Sequence, residues 1–548
     1  MKPGLDILLH AREPDDRPWK YLPAVLALAF AARAIVALSG DFVLHPDEIM
    51  QYLEPAHRLV FGNGVTYWEF FYGARSWIVP GAAAGVLKLL DVVGLGEPRW
   101  YVGAVKLMFC AISLGIPAGM YFFARRHFGE ASARAALVAG AFWYELVGFA
   151  HKPMTEFVAA VPLVALLALC VHPALNNTRT VWQAAFLAAI ASAIRMQYAP
   201  LALVLLGIVF LRTGKKTPLV VATVAFLFVV GVFDAVTWDA GLFHSYLTNL
   251  RFNLILGPMR AGESPPWQFI LWFVLAGGGL SLLCVAASLR HPRRYGLLLA
   301  LTVLILLLHS LQAHKEYRFV FVVVPLWLLI GADVATRLAS RVGGPRRLAE
   351  TVAAVFAAVS LAGIMNALPY QDRVYRAWSR ETRYVGFVRN QDPVFAAYRY
   401  LARASGVTGV WQPDRPYYRL PGYYYLHRKI PFYDLFSGRA LATDAAPSVL
   451  VSHIVTADPA LSVAGYSLDR EFAGMRVLRR DRDEPPVRRW LDYAPTIVGR
   501  SQARIMARID PDAPVPPANF GIRLAPEEPP VVRPGRGQPG LREDRQGQ

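Results

Sequence analysis

Two short stretches of this chain carry side chains able to do chemistry on a polar substrate. The first is His45-Pro46-Asp47-Glu48, followed in the same connecting segment by Glu54, His57, Glu69 and Arg75. An aspartate beside a glutamate, partly removed from water, can have one carboxyl pKa raised toward the working pH, which suits a general base that takes a proton from a hydroxyl. Pro46 fixes the backbone that presents Asp47. The second stretch is His314-Lys315-Glu316-Tyr317-Arg318-Phe319, wedged between two apolar runs. Its three potential cations suit a phosphate held by charge-assisted hydrogen bonds, with Glu316 either orienting the cluster or neutralising it. Each stretch also has a plainer reading, as a solvated linker or as a hairpin whose cations snorkel to the membrane surface. The first is long for a simple connection and dense in Trp, Tyr, Phe and Gly, which favours a structured, functional loop. The second places cations where topology alone would not hold them.

The elements that must position these groups are membrane helices. The 548 residues are 55% hydrophobic and only 18% charged, with mean hydropathy +0.34, which is too apolar for an ordinary soluble protein. The net charge of +18 falls largely in short loops between apolar runs, where it reports topology rather than nucleic-acid binding. Cys110, Cys170 and Cys284 lie inside apolar segments without metal-ligand spacing. Neither a disulfide framework nor a zinc site is expected, and the chemistry is expected to need no metal and no cofactor.

A polar tail of residues 1–20 precedes the first apolar run, Tyr21 to Leu38, which reads as an uncleaved first span with a cytoplasmic N-terminus. Trp77 to Leu95 is interrupted by Gly81, Gly85, Lys88 and Asp91, and treating it as a span would send Arg125, Arg126 and Arg134 to the outer side. It is therefore placed on the outer surface, within a large first external loop of residues 39–100. Further spans are read at Tyr101 to Ala124, Ala135 to Ala150, Glu156 to Val171, Val181 to Ile194, Leu201 to Leu211, Pro218 to Trp238, Gln268 to Leu289, Tyr295 to Leu311, Phe319 to Ala339 and Leu348 to Leu368. The expectation is an α-helical polytopic membrane protein whose transmembrane domain, residues 21–368, has about eleven helices. The first loop, Gln312 to Arg318 and everything after Leu368 then share the outer side. Residues 369–483 mix a helical pattern (PVFAAYRYLARA) with β-like runs (VTGVW, SVLVSHIV, MRVLRR), as a small extracytoplasmic α/β domain would. Residues 484–548, rich in Pro and Arg, read as a largely disordered tail.

HPDE, followed by Glu54, a Gly-x-Gly turn, Trp68-Glu69 and Arg75-Ser76, resembles the first luminal loop of the glycosyltransferase family 22 mannosyltransferases. HKEYRF followed by VVVPL resembles their second signature, and the two motifs occur in the family's order on one expected side. The resemblance implies the GT-C fold and an inverting transfer of mannose from a polyprenyl-phosphate-linked donor, the co-substrate, to a hydroxyl of a lipid-linked or glycan acceptor. Asp47, with Glu48 beside it, would be the catalytic base, and His314, Lys315 and Arg318 would stabilise the leaving phosphate. His45, Glu54, Trp68, Glu69 and Arg75 would bind substrate. Arg195, in AIRMQYAP, resembles the family's Arg-Pro segment but lacks the adjacent proline, and Tyr67 stands before Trp68 where the family has Thr, a departure that bears on the acceptor side. The partners implied are the lipid-linked donor, the acceptor and membrane lipids, with no nucleic acid. The Ala/Arg-rich composition fits a bacterial inner membrane with the site facing the periplasm; in a eukaryote it would face the ER lumen. The tyrosines of RPYYRLPGYYYLHRKIPFYD suit either sugar stacking or docking on the membrane domain. Two rivals stand beside this reading: a polyprenyl-phosphate-dependent transferase for another hexose or a pentose, and a transporter or lipid flippase whose path would be marked by Glu145, Glu156 and Asp234 near span ends.

Overall fold

The computed structural model describes residues 18–43, 45–256, 264–277, 279–312, 314–341, 345–365, 388, 392–435, 451–482, 496–498 and 500–515. Most of the N-terminal tail, residues 369–387 and the end of the C-terminal tail lie outside them. Each of the eleven apolar segments is mainly helical within the described residues, because each is a run of Leu, Ala, Val and Phe without a midspan charge cluster; residues 366–368 of the last lie outside them. Among the described residues, four helices are long and apolar enough to cross a membrane by themselves: Pro98–His127, Lys216–Trp238, Pro292–Ser310 and Val323–Ser340. Gln268 to Leu289 is not one straight rod; Gln268–Ala276 and Ser281–Arg290 meet at 106°. Lys216–Trp238 leaves Val220, Val224, Phe228 and Val236 exposed, an apolar face suited to lipid.

The helix Leu22–Leu38 carries a fully buried cation, Arg33. Its guanidinium donates to Ser113 Oγ at 3.0 Å and to the carbonyls of Gly140 and Ala141 at 3.0 and 2.6 Å. Those carbonyls belong to the last turn of Glu130–Phe142 and have no partner within their own helix, so Arg33 closes that helix end.

The first loop contributes the helices Glu54–Phe61 and Ile78–Val92. The second has 15 residues, shorter than a span, and packs on the first and on Pro98–Ser113. The C-terminal domain is a five-stranded sheet, ordered β3-β2-β4-β6-β5, made of β2 (Val410–Trp411), β3 (Phe432–Tyr433), β4 (His453–Thr456), β5 (Tyr466–Phe472) and β6 (Met475–Arg480). β2 runs parallel to β3 and β4, whereas β6 is antiparallel to β4 and β5. The helix Pro393–Leu401 covers this sheet, started by Asp392, whose side chain accepts from the Val394 amide.

Two carboxylates of the first loop help fasten that domain to it. Asp41 receives Lys106 Nζ at 2.6 Å, Arg399 at 2.5 Å and the Tyr425 hydroxyl at 3.2 Å. Glu54 accepts the amides of Tyr423 and Tyr424, each at 3.0 Å. A further connection comes from the segment read as disordered. Residues Thr496–Ile497 form β7, parallel to β1 (Thr66–Tyr67) of the first loop, and the helix Arg500–Ile509 packs on His244–Leu256. Proline content concealed an amphipathic decapeptide, RSQARIMARI, whose Ala, Ile and Met share one face.

Candidate active site

The first motif is built by a proline at each end. Pro46 opens the turn, its carbonyl accepting from the Ile49 and Met50 amides at 3.1 and 3.0 Å. Pro55 has no N–H to donate, and the helical turn Glu48–Leu53 before it is widened, with the Glu54 amide reaching back five residues to the Ile49 carbonyl. Gly62 ends the following helix in a left-handed conformation, and a side chain at Gly64 would strike Arg58. The Gly-x-Gly spacing is thus a turn requirement.

Consecutive residues on a helical turn point in different directions, so Asp47 and Glu48 do not share a site. Glu48 turns inward to the buried Lys152 ammonium at 3.0 Å, which also binds the Phe42 carbonyl at 2.8 Å. Asp47 turns to the surface of the second motif, where Arg318 reaches it at 2.7 Å and His45 lies at 3.3 Å. The expectation of an Asp-Glu pair with one raised pKa is corrected here. Burial alone would raise the Asp47 carboxyl, but the His45 imidazolium and the Arg318 guanidinium outweigh it and hold the acid well below its usual range. Burial and Arg318 press the other way on His45, yet Asp47 and Glu316 prevail and lift its imidazole to about 9. The raised carboxyls are Glu54 and Glu69, each lifted by burial to about 7.

Arg318 is the centre of the cluster. Besides Asp47 it pairs with Glu316 and with Glu156 Oε1, the latter at 3.3 Å. Glu316 also accepts from His314 at 2.7 Å and faces His45 at 3.3 Å. Arg195 joins through Glu156 at 3.0 Å and Thr155 Oγ1 at 3.3 Å, and the Tyr52 hydroxyl meets that Thr155 oxygen at 3.1 Å. His45, Asp47, Arg195, His314 and Arg318 are therefore brought together, with Glu156 and Thr155 completing the network. Sequence reasoning gave Glu156 to the transporter reading and passed over Lys152. The available signal was HKPMTEF, two charges separated by a proline at the edge of an apolar run.

Other candidates stand apart from this network. Lys315 donates to the carbonyls of Ser264, at 3.0 Å, and Gln312. Both oxygens of Glu54 are taken by backbone amides, including that of Val65 at 2.9 Å. Trp68 stacks on Phe252 with ring centroids 4.1 Å apart. Glu69 Oε1 accepts from Gln51 Nε2 at 2.9 Å, whereas its buried Oε2 has no partner. Arg75 makes no close ion pair or side-chain hydrogen bond among the described residues and its buried Nε has no hydrogen-bond partner, but the neighbouring Glu69, Asp47 and Glu156 outweigh burial and stabilise its charge. It lines a cleft of about 490 Å³ together with Tyr52, Thr155, Arg195, Tyr246 and Asn249. The residual transporter candidates are structural: Glu145 accepts from Trp143 Nε1 at 2.9 Å, and Asp234 accepts from the Ser245 amide at 2.8 Å. Among the described residues no cluster of His, Cys, Asp and Glu suits a metal ion.

The model of the Alg9-like mannosyltransferase family matches residues 24–427. GPI mannosyltransferase 3 of Yarrowia lipolytica is 27% identical over 378 residues, covering 64% of this chain and 70% of its own length. GPI alpha-1,2-mannosyltransferase 3 of Xenopus laevis is 26% identical over 320 residues, covering 55% and 58%. Mannosyltransferase APTG1 of Arabidopsis thaliana is 25% identical over 316 residues, covering 56% and 57%, so the chain spans little more than half of these last two relatives. In architecture, ArnT from Cupriavidus metallidurans bound to undecaprenyl phosphate superposes with a TM-score of 0.53 at 14% identity, over 85% of this chain and 99% of that one. At that identity the likeness bears on the fold alone, and that fold is GT-C.

Proposed function

Since the chain belongs to the Alg9-like mannosyltransferase family, we propose that it transfers mannose, with inversion, from a polyprenyl-phosphate-linked donor to a hydroxyl of a lipid-linked or glycan acceptor. One observation carries the assignment of the base: the Asp47 carboxylate is held ionised between His45 and Arg318 while its side chain keeps 17% of its surface open to solvent. In this reading the acceptor oxygen attacks the anomeric carbon from the face opposite the phosphate. The bond from that carbon to the phosphate oxygen breaks, the acceptor proton passes to Asp47, and the polyprenyl phosphate leaves with the bonding pair. Arg318 anchors the loop that carries the base and holds Glu156 and Glu316 as counter-charges. In this reading the reaction needs no metal ion, because the carboxylates a divalent cation would need are already paired: Asp47 and Glu316 with Arg318 and His45, and Glu156 with Arg318 and Arg195. EDTA then leaves the rate unchanged.

The site faces the outer side of the membrane, the periplasm if the host is bacterial. The names of the relatives point to a glycolipid of the GPI type as one acceptor class. The test is transfer of radiolabelled mannose from polyprenyl-phosphate-mannose into lipid or glycan by membranes containing the wild type or Asp47→Asn. Transfer by the first and none by the second supports the assignment. Equal transfer by both removes Asp47 as the base, and transfer of another hexose or a pentose in place of mannose revises the donor.

A further inference from the structure

One short segment touches both motifs. Lys152-Pro153-Met154-Thr155-Glu156 stands at the head of the helix Thr155–Cys170, and its two charged residues reach different partners. Lys152 Nζ takes Glu48 Oε2 at 3.0 Å and the Phe42 carbonyl at 2.8 Å, so it joins the turn that carries the base to the chain leading into it. Glu156 takes Arg318 at 3.3 Å and Arg195 at 3.0 Å. Between them, Thr155 Oγ1 meets the Tyr52 hydroxyl at 3.1 Å. Glu48 and Tyr52 lie four positions apart on the turn Glu48–Leu53 and so share a face. That face is seated on this segment, which leaves Asp47 on the side of Arg318.

The contacts close into a ring: Asp47 to Arg318, Arg318 to Glu156, along the backbone to Lys152, Lys152 to Glu48, and back to Asp47. No member of such a ring can turn without moving another, and Pro153 removes one backbone rotation from the link between Lys152 and Glu156. The other oxygen of Glu48 accepts the His45 amide at 3.2 Å, so the same pair sets the histidine that faces Asp47 at 3.3 Å. The Lys152 and Glu48 side chains are 3% and 5% exposed, so water hardly competes for the bond between them. Stability alone does not call for charges here, because a well-packed apolar pair in a buried site is often as stable as an ion pair. What the charged pair adds is a fixed direction.

We propose that Lys152 is a positioning residue for the transfer: by holding Glu48 and Phe42 it sets the direction in which Asp47 meets the acceptor hydroxyl. The inference rests on the transferase reading with Asp47 as the base. Purified full-length wild type, Lys152→Met and the double variant Glu48→Gln/Lys152→Met would be compared for melting temperature, and for kcat and KM with polyprenyl-phosphate-mannose. Lys152→Met alone leaves a buried carboxylate unanswered and should lower the melting temperature. The double variant removes both charges, so stability should return while the link to Glu48 and Phe42 stays absent. The expected result is a double variant that melts like the wild type, keeps KM within about twofold and loses about tenfold in kcat, since a base turned from its line of attack slows the chemical step. A kcat that recovers together with the melting temperature makes the pair a matter of stability and overturns the proposal. A rise in KM at unchanged kcat overturns it too. Should the double variant not fold, Glu48→Asp keeps both charges and shortens the link by one methylene; the same kcat loss at unchanged KM supports the proposal, and an unchanged kcat overturns it. No transfer by the wild type, or undiminished transfer by Asp47→Asn, overturns the function or its base, and this inference with it. Transfer by the wild type, none by Asp47→Asn and full kcat in the double variant overturn this inference alone.

Discussion

The guanidinium of Arg318 lies 2.7 Å from the carboxylate of Asp47, joining loops separated by 271 positions of chain. A pair this close keeps the acid ionised and fixes its direction, at the cost of lowering its basicity. Arg318 also takes up Glu156 and Glu316, which a lysine ammonium, a compact point charge, does not bridge with the same planar geometry. Arg318→Lys should therefore fold and lose on the order of a hundredfold in kcat, as expected when an organised charge is displaced from an active site. Steady-state kinetics on purified protein checks this. A kcat within about twofold of wild type would mean that charge alone, without the fork, suffices.

The His45 imidazole, raised to about 9, gives a pH dependence whose sign follows directly. A histidine whose folded pKa exceeds its unfolded value near 6.5 stabilises the fold fully below that value, and the contribution fades as pH rises through about 9. The melting temperature of the wild type should therefore fall between neutral and alkaline pH, and His45→Gln should flatten that limb. A wild-type curve that rises or stays level across the range would exclude an imidazolium between Asp47 and Glu316.

Glu54 is predicted to matter for assembly rather than for chemistry. Its oxygens answer three amides, Val65, Tyr423 and Tyr424, so a Gln would turn an NH2 toward at least one donor. Glu54→Gln should cost about 1–3 kcal/mol, the range for an unsatisfied buried donor, and loosen the C-terminal domain. Gly422→Ala should act on the same tie, since Gly422 has φ +67° and a Cβ there would lie 2.5 Å from Glu54 Oε2. Limited proteolysis and thermal denaturation read both. Loss of activity at unchanged stability would return Glu54 to the substrate.

Much of this was legible in the chain. The eleven apolar segments were visible as runs of one chemistry, and the two motifs because charges beside hydrocarbon are uncommon. The β-like runs VTGVW and MRVLRR contain β2 and β6. What could not be read is which charge answers which. Asp47 and Glu48 are adjacent in sequence yet look in different directions, toward Arg318 and Lys152, because the backbone between Pro46 and Pro55 turns helically. Glu156 pairs with Arg195 and Arg318, neither of them near it in sequence, and no local pattern encodes such long-range pairing. The strand-helix segment near the C-terminus was hidden by its surroundings, whose proline content dominated the reading.

That segment yields the last prediction. Met506, on the helix Arg500–Ile509, is buried in a small apolar cluster with Tyr72, Phe252 and Val498, against which Trp68 packs. Trp68 stacks on Phe252 with an interplanar angle of 25°, a contact contributing about 0.5–1.5 kcal/mol beyond the area it buries. Phe252 belongs to the helix whose Tyr246 and Asn249 line the cleft with Arg75, so the C-terminal helix buttresses one wall of that cleft from behind. Removing it should leave the membrane helices intact, because its cluster is separate from the main core. The wall it supports should then loosen. Truncation before Thr496 is expected to raise KM for the lipid-linked donor about tenfold with a smaller change in kcat, whereas truncation after Val515 should change neither. Trp68→Ala should reproduce the KM effect in part by removing the stack from the other side. If truncation before Thr496 lowers kcat and spares KM, the segment acts on the chemical step, and the link from Met506 through Phe252 to Asn249 is not how it does so.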